Sequence, residues 1–434
     1  MAKPFDAMKT FFTIWFGQVI SSLGSGLTNF GITVWVLKTT GSTTAFATAM
    51  IFATLPGILL SPIAGTLADR WDRRTAMIVS DFGAGLSSLV LALLVMTGNL
   101  HLWGIYALMG VSSAFNTLSW PAFTASTSIL VPKEHLGRAS GLVQAGEAAS
   151  MIVTPALGAF LLVKGGLQAL VIIDVVSFAL AIGALLLIRI SKPAPTSEPQ
   201  PQQSFFREAF YGWRYIKARP GLFGLMAFFF LVNFVAGFAN VLYGPLTLAL
   251  YDEQFLGVVG STIGIAMLVG TIIMGVWGGP KKKVYGIIGF SLAIGFGLLI
   301  MILPATRPTL LASAALMMVF TPIMNGCSQA IWQRKVALDV QGRVFAIRRM
   351  IAWFPAPLSF ALAGPLADRV FGPGLMPKGN LAPALGPIFG TGEGAGVRVM
   401  MVCAGLLMFV VAGASLLNPR VRNVEQELPD AKED

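Results

Sequence analysis

Long runs of apolar residues, interrupted by short polar segments, extend over nearly the whole chain. A helix needs about 20 predominantly apolar residues to cross a bilayer, and these runs reach that length. Glycine and proline are frequent inside them, as membrane-spanning helices tolerate. The pattern predicts twelve spans: 11–37, 44–68, 76–97, 102–130, 139–163, 167–188, 221–249, 255–278, 284–304, 309–332, 344–367 and 397–417.

The charged residues are few and lie mostly between these runs. They make up 11% of the 434 residues, compared with about 25% in soluble domains. If the N-terminus lies in the cytoplasm, 24 of the 30 Lys and Arg residues fall on the cytoplasmic side. This bias predicts that both termini are cytoplasmic. It also accounts for the net charge of +11 without a nucleic-acid partner. No cleavable signal peptide is expected, because no A-x-A-like site accompanies the first run.

A polar segment divides the twelve runs into two groups of six. Residues 191–204 are rich in Pro, Ser and Gln and predict a flexible linker. The next segment can form an interfacial helix, with Phe206, Phe210, Trp213 and Ile216 on one face; a plain entry into the seventh span is the alternative. The predicted regions are a six-helix bundle (1–190), a linker with an interfacial helix (191–219), a second six-helix bundle (220–418) and a cytoplasmic tail (419–434).

A short motif recurs at matching positions in the two halves. The pattern V-[PA]-x-[ED]-x-x-G-R begins at Val131, after the fourth span, and at Val336, after the tenth. Parallel repeats related by an axis along the membrane normal are an architecture of transporters. The motif therefore favours two pseudo-symmetric halves.

The loop between the second and third spans carries a dense group of charges. Its sequence, GTLADRWDRR (65–74), resembles the loop signature of the major facilitator superfamily. The D-R-W-D-R-R form resembles the drug-exporter branch that contains macrolide efflux proteins and enterobactin-type siderophore exporters. The segments FFTIWFGQVISSLGSGL, KTTGS, IIDVVSF, QGRVFAI and GPLADRV resemble the same branch. The resemblance covers nearly the whole chain and implies an all-α membrane protein with two six-helix bundles, located in the bacterial plasma membrane.

The resemblance also implies a cytoplasmic gate at this loop. Glycine would allow two helices to approach closely, and an acidic residue would cap the N-terminal end of a neighbouring helix. The basic residues would bind carboxylates or the carbonyls of a last helical turn; charges that only fix orientation are the alternative. Asp81 is expected to join Arg73 and Arg74. The predicted gate residues are Gly65, Asp69, Arg70, Arg73, Arg74, Asp81, Gly342 and Arg343.

Asp81 and two further carboxyl groups fall inside predicted spans, where charge is costly and function is the default hypothesis. Glu147 is about ten residues past Gly137, which places it near the middle of the bilayer at about 1.5 Å per residue. We expect it to couple protons or bind substrate; a neutral acid bonded to a neighbouring helix is the alternative. Asp174 is the second proton-coupling candidate, with a structural hydrogen bond as its alternative.

Two departures from related antiporters leave proton coupling open. TPALG (154–158) resembles a weakened proline-glycine motif of antiporter span 5, with Thr154 where glycine usually precedes the proline. Span 4 lacks the intramembrane Arg that drug–proton antiporters commonly carry.

Arg348 and Arg349 begin span 11 and are expected to snorkel towards the interface; an anion-binding role is the alternative.

In this fold, spans 1, 4, 7 and 10 face the central cavity. Their mid-span polar residues are mostly amides and hydroxyls, and span 7 adds several Phe residues. Such a cavity suits a bulky amphipathic substrate, whereas a sugar or an inorganic ion needs denser polar contacts; helix packing is the alternative for each residue. The substrate-binding candidates are Gln18, Asn29, Asn116, Trp120, Asn233, Phe234, Asn240, Asn325 and Gln329.

These features predict a monomeric secondary transporter that exports bulky amphipathic molecules by alternating access, with protons as the coupling ion. A lysophospholipid or lipid flippase of the same fold is one alternative, and a membrane-embedded enzyme or sensor is another. No H-E-x-x-H, G-x-S-x-G or P-loop motif occurs, and both cysteines lie in apolar runs, so no enzyme activity, cofactor or metal is expected. The outer loop 371–396 is rich in Gly and Pro and is expected to be too broken for a helix.

Overall fold

The computed structural model describes residues 4–132, 135–188, 205–337 and 340–427. Within these ranges, the side chains of residues 4–7, 62, 66, 68–70, 125, 128–129, 137 and 205–210 lie outside the description. The described chain is helical and contains no strand. Its helices are α1 (Pro4–Thr40), α2 (Thr43–Arg70), α3 (Arg73–Met96), α4 (Leu102–Leu130), α5 (Leu136–Leu187), α6 (Phe205–Lys217), α7 (Pro220–Leu250), α8 (Glu253–Trp277), α9 (Lys283–Leu299), α10 (Arg307–Lys335), α11 (Gln341–Trp353), α12 (Pro355–Leu366), α13 (Gly372–Gly374), α14 (Ala382–Phe389), α15 (Ala395–Leu417), α16 (Pro419–Arg422) and α17 (Val424–Glu427).

The predicted membrane spans coincide with these helices. Within the described residues, ten helical segments are long and apolar enough to cross a membrane. One of them, α5, contains two predicted spans, because its 52 residues are interrupted at Gly166. The backbone there has φ 65° and ψ −174°, a conformation that glycine adopts without steric cost. The more polar α4, 29 residues long, completes the twelve. The predicted all-α membrane fold is confirmed.

The chain forms two compact units. The first contains Met1–Pro199 together with Asp252–Ser261, and the second contains Gln200–Tyr251 together with Thr262–Asp434. The first unit thus holds α1 to α5 and the beginning of α8. The second holds α6, α7, the remainder of α8 and α9 to α17.

Small residues bring α1 close to the first half of α5 in the first unit. A Cβ atom at Gly26 would lie 2.8 Å from Cγ2 of Thr154, and one at Gly146 would lie 2.6 Å from Cγ2 of Val19. Contacts at this distance require the absence of a side chain, so the glycines of α1 and α5 determine how closely the two helices pack.

The first turns of α8 also pack within the first unit. Lys38 at the end of α1 forms an ion pair with Glu253. The Ser261 hydroxyl donates a hydrogen bond of 2.7 Å to the Ile152 carbonyl in α5. A Cβ at Gly257 would lie 2.8 Å from the carbonyl oxygen of Pro155, so this face of α8 lies directly against α5.

In the second unit, α7 packs against α12 and α15, and α9 packs against α10 and α15. The buried hydroxyls of Tyr243 and Ser313 are 2.7 Å apart, and Ser313 donates to the Gly297 carbonyl at 2.6 Å. Both polar groups are therefore satisfied inside an apolar bundle, as burial requires.

The amphipathic helix α6 packs against protein on its described apolar side. Ile216 is fully buried, and the Trp213 and Phe223 rings meet edge to face at 6.0 Å. A Cβ at Gly212 would lie 2.6 Å from the Arg343 carbonyl in α11. The helix thus covers α11 and the start of α7. The predicted interfacial residues Phe206 and Phe210 have side chains outside the described part.

The start of the tail, α16 and α17, is docked on the second unit. Val421 and Val424 are buried against Gly224 and Gly221 of α7. The Glu425 carboxylate accepts a hydrogen bond from the Val284 amide at the start of α9, at 2.9 Å. An acidic group at this helix end is favourable because it meets unpaired amide groups.

The outer loop contains a helix, contrary to the expectation that it is too broken for one. Helix α14 runs through Ala382–Phe389. Arg398 donates hydrogen bonds to the Phe389 carbonyl at 2.6 Å and to the Leu303 carbonyl at 2.6 Å. Further bonds from Arg398 reach the carbonyls of Met301 and Ile302 at 3.2 Å. One buried cation therefore links the loop helix to the segment that follows α9, a long-range contact that local composition does not reveal.

Candidate functional site

A cavity of about 430 Å³ lies inside the first unit. Helices α1, α3, α4 and α5 all contribute to its wall. The wall combines aromatic rings with amides, hydroxyls and two carboxyl groups. Its aromatic residues are Trp15, Trp120 and Phe123, and its carboxyl groups belong to Asp81 and Glu147.

Asp81 is only 2% exposed and is held by a chain of hydrogen bonds at the cavity wall. The amide Nε2 of Gln18 donates to Asp81 Oδ2 at 2.9 Å. The hydroxyl of Ser119 donates to Gln18 Oε1 at 3.0 Å. This arrangement corrects the expectation that Asp81 joins Arg73 and Arg74. Asp81 lies about two turns after those arginines on α3, and its described side-chain partner, Gln18, lies on α1.

Glu147 lies on α5 with an exposed side chain and lines the same cavity. Its neighbour Gly146 is buried, and a Cβ there would lie 3.3 Å from the Trp15 indole nitrogen. The absence of a side chain at Gly146 therefore brings α1 against α5. The carboxyl group of Glu147 is reachable from the cavity, as binding or proton exchange requires.

Asp174 is 1% exposed and lies among hydroxyl groups of α1 and α3. Ser88 donates to Asp174 Oδ2 at 2.7 Å, and Ser25 donates to Oδ1 at 3.3 Å. The Ser25 residue also lines the cavity, but the carboxyl group of Asp174 does not. These contacts agree with the structural alternative considered for this residue.

Four predicted substrate-binding residues meet in the first unit. Gln18, Asn29, Asn116 and Trp120 all line the 430 Å³ cavity. Asn29 and Asn116 also line a second cavity of about 280 Å³, whose wall includes Ser112. The sequence missed Trp15 and Ser119, although Ser119 lies beside Trp120 and Trp15 lies nearly one turn before Gln18.

The other predicted substrate-binding residues belong to the second unit. Phe234 stacks edge to face on Phe238, at 5.2 Å between ring centroids. Asn240 and Asn325 are exposed, and Asn233 is half-buried. Gln329 accepts a hydrogen bond of 2.8 Å from Arg348. Their assignment to a substrate site stays a prediction.

Arg348 turns towards α10, contrary to the expectation that it snorkels to the interface. Besides Gln329, it donates to the Ser328 hydroxyl at 3.1 Å. Its guanidinium lies 5.0 Å from the centre of the Trp332 ring. A cation over an aromatic face is stabilised by the ring quadrupole, so these contacts retain the charge inside the helical bundle.

The structure describes the side chains of only some of the predicted gate residues. The side chains of Asp69 and Arg70 lie outside the described residues. Arg74 donates to the carbonyls of Leu185 and Leu186 at 2.7 and 2.9 Å. These carbonyls belong to the last turn of α5, where a cation is favourable.

Four further gate residues show different surroundings. The buried Nε of Arg73 has no hydrogen-bond partner in the described part of the chain. A Cβ at Gly65 or Gly342 would meet no described atom within 4 Å. The close approach expected at Gly65 stays a prediction. Arg343 lies over the Tyr211 ring of α6 at 5.5 Å.

Two six-span groups of helices with an internal, partly polar cavity define a membrane transporter. The sequence profile of the Major Facilitator Superfamily matches residues 14–360. The chain belongs to this family, and it is a transporter rather than an enzyme.

Individual relatives agree with the predicted branch. Macrolide efflux protein A of Streptococcus pyogenes is 28% identical over 364 residues, covering 83% of this chain and 90% of that protein. Enterobactin exporter EntS of Shigella flexneri is 26% identical over 222 residues, covering 50% of this chain and 52% of its own length. The predicted resemblance to this exporter branch is thereby confirmed.

A solved structure has the same fold. A bacterial homologue of the human lysosomal transporter Spinster superposes with a TM-score of 0.71. The match covers 99% of both chains at 14% sequence identity. At this identity the similarity concerns the fold alone.

Proposed function

We propose that this transporter exports bulky amphipathic small molecules, of the macrolide or siderophore type, by alternating access. The observation that carries the proposal is the composition of the cavity in the first unit. Aromatic side chains such as Trp15 and Trp120 supply flat apolar surface, and amides and hydroxyls supply scattered polar contacts. A few placed polar groups in a mainly apolar wall suit a large amphipathic ligand. The named activities of the relatives support the same direction of transport.

Glu147 is the group that we propose to exchange protons with the transported molecule. It combines an intramembrane position with an accessible carboxyl group. A carboxylate in this position is expensive unless it binds a cation or a proton. Alternation between these two partners would couple substrate release to proton uptake. In this proposal Asp174 has a structural role, because hydroxyl groups of two other helices already hold it.

The proposed topology has both termini in the cytoplasm, because most Lys and Arg residues then lie on that side. The linker region 191–219 would join two halves that move during transport. The chain would act as a monomer. Arg74, bound to the last turn of α5, would belong to the cytoplasmic gate.

Drug accumulation in cells tests this function. We expect expression of the chain in a macrolide-sensitive bacterium that lacks its own efflux pumps to lower the accumulation of a labelled macrolide and raise the inhibitory concentration. Cells with the empty vector are the control, and immunodetection must show the protein in the membrane. Unchanged macrolide accumulation together with enhanced lysophospholipid movement would contradict drug export and favour the lipid flippase.

A further inference from the structure

The chain of hydrogen bonds from Asp81 to Ser119 has a direction that the charge of Asp81 determines. An ionised carboxylate only accepts hydrogen bonds, so the Nε2 of Gln18 faces it. The Oε1 of Gln18 then faces Ser119, whose hydroxyl hydrogen is used in that bond. The Ser119 oxygen consequently retains only lone pairs for a ligand in the cavity.

Protonation of Asp81 reverses each donor and acceptor in this chain. The protonated carboxyl is now a donor, and its best partner is Gln18 Oε1 after rotation of the amide by a half-turn. The Gln18 Nε2 then donates to the Ser119 oxygen. The Ser119 hydroxyl hydrogen is released and can point into the cavity. One proton is bound at Asp81, and no covalent bond other than O–H is formed or broken.

We propose that Asp81, Gln18 and Ser119 form a proton-operated switch. The charge of Asp81 determines whether Ser119, at the cavity wall, accepts or donates a hydrogen bond. The proposal rests on the proposed proton-coupled export and adds the substrate group that the site recognises. With Asp81 ionised, Ser119 accepts a hydrogen bond from the substrate; with Asp81 protonated, Ser119 becomes a donor. The recognised group is therefore a hydrogen-bond donor such as a protonated amine, which proton uptake at Asp81 would expel.

The placement of the three residues explains why a relay is needed. Asp81 is 2% exposed, so a bulky substrate cannot reach its carboxyl group directly. Gln18 on α1 and Ser119 on α4 are half-buried and line the cavity together with Asp81 on α3. The switch thus converts a charge change at a buried position into a change of hydrogen-bonding character at an accessible one.

The other charged groups near Asp81 are few among the described residues. On α3, Arg73 and Arg74 lie about two turns before it, and Arg74 is engaged with α5 carbonyls. On α5, Glu147 lines the same cavity. Asp174 lies farther along the same helix and accepts a hydrogen bond from Ser88. The facing parts of α1 and α4 supply amides and hydroxyls. Glu147 is the group whose own titration must be separated from that of Asp81.

The pH dependence of substrate binding tests the switch. We expect a macrolide with a protonatable amine to bind the purified wild type less tightly as pH falls from weakly alkaline to weakly acidic, by about tenfold. Asp81→Asn should remove the contribution of Asp81 to this change, measured in a Glu147→Gln background. Ser119→Ala should also remove it, although Asp81 is intact, and Ser119→Thr should restore it.

The matched control is Ser87→Ala on α3, the helix that carries Asp81. Ser87 is a buried hydroxyl that donates to the Gly83 carbonyl at 3.0 Å within α3. Its removal should leave the pH profile unchanged. A Ser119→Ala variant with the wild-type pH profile would overturn the relay, because a purely electrostatic effect of Asp81 needs no hydroxyl at position 119.

Infrared difference spectroscopy on a pH change tests the switch without any substrate. In Glu147→Gln vesicles we expect a protonated-carboxyl band at low pH that Asp81→Asn removes and Asp174→Asn retains. An amide side-chain band should change together with it and be lost in Gln18→Leu. If the wild type binds no macrolide but shows these bands, the substrate proposal fails and the switch stands. If Asp81→Asn leaves both bands unchanged, the switch is wrong.

Discussion

Replacing Glu147 with Gln is expected to reduce gradient-driven export by about tenfold or more, the size of a typical coupling energy between two binding events, while leaving downhill exchange of substrate intact. The amide has nearly the same size as the carboxyl group, so the cavity and the packing at Gly146 are preserved. It can neither gain nor lose a proton near neutral pH, so the proton that Glu147 exchanges is no longer linked to substrate movement, and only the contribution of Asp81 remains. The measurement compares substrate transport in vesicles with and without an imposed pH gradient.

Glu147→Asp is the matched control, because it retains an ionisable group at the same site. We expect it to keep gradient dependence at a reduced rate, since the carboxyl group is one methylene farther from the cavity. Full gradient-driven export by Glu147→Gln would contradict the assignment and would move the coupling group to Asp81.

Replacing Gly24 with Ala is expected to destabilise the first unit by about 1–3 kcal/mol, a typical cost of overpacking a helix contact. A Cβ at this position would lie 2.9 Å from Asp174 Oδ1 and would also collide with the Ser177 hydroxyl. Both groups are buried and hydrogen-bonded, so Asp174 cannot move without breaking the bonds that hold α5 to α1 and to α3. The measurement is thermal unfolding of the purified protein in detergent.

Gly183→Ala is the control, because it makes the same chemical change in the helix against which Gly24 packs. A Cβ at Gly183 would meet no described atom within 4 Å. This variant should melt at or above the wild-type temperature, since Ala favours helix more than Gly. Equal melting temperatures for Gly24→Ala and wild type would show that α1 can move away from α5 without cost.

The sequence predicts the spans well because the bilayer imposes a strict length of apolar residues on each helix. The helix ends α3 (Arg73–Met96) and α15 (Ala395–Leu417) lie within three residues of the predicted spans. The break at Gly166 falls in the gap between the predicted spans 139–163 and 167–188. These features depend on local composition, which the sequence displays directly.

The partners of the charged residues could not be predicted in the same way. Asp81 is close in sequence to Arg73 and Arg74, yet it binds Gln18, 63 residues away. Arg398 binds the Phe389 carbonyl of α14 and also the carbonyls of Met301 and Leu303, nearly a hundred residues earlier. Such contacts depend on which helix faces are brought together. Asp81 lies about two turns after the loop arginines on α3, and at that position it faces the cavity wall instead of the loop.

The sequence predicted several polar residues of the candidate site but not all of its aromatic residues. Polar residues in the middle of spans are conspicuous, so Gln18, Asn116 and Glu147 were found. Trp15 was not, because an aromatic residue in an apolar run resembles ordinary packing. Its contribution appears only when α1 and α5 are placed side by side, with its indole donating to the Leu142 carbonyl at 3.0 Å.

Uptake of a labelled macrolide into everted membrane vesicles is the most direct test of the account. In such vesicles the cytoplasmic face is outside, so export appears as uptake into the lumen. A lumen made acidic relative to the medium should drive uptake by wild-type protein, and an uncoupler that collapses the gradient should stop it. Uptake at the same rate without the gradient, or no uptake beyond that of vesicles without the protein, would contradict proton-coupled macrolide export.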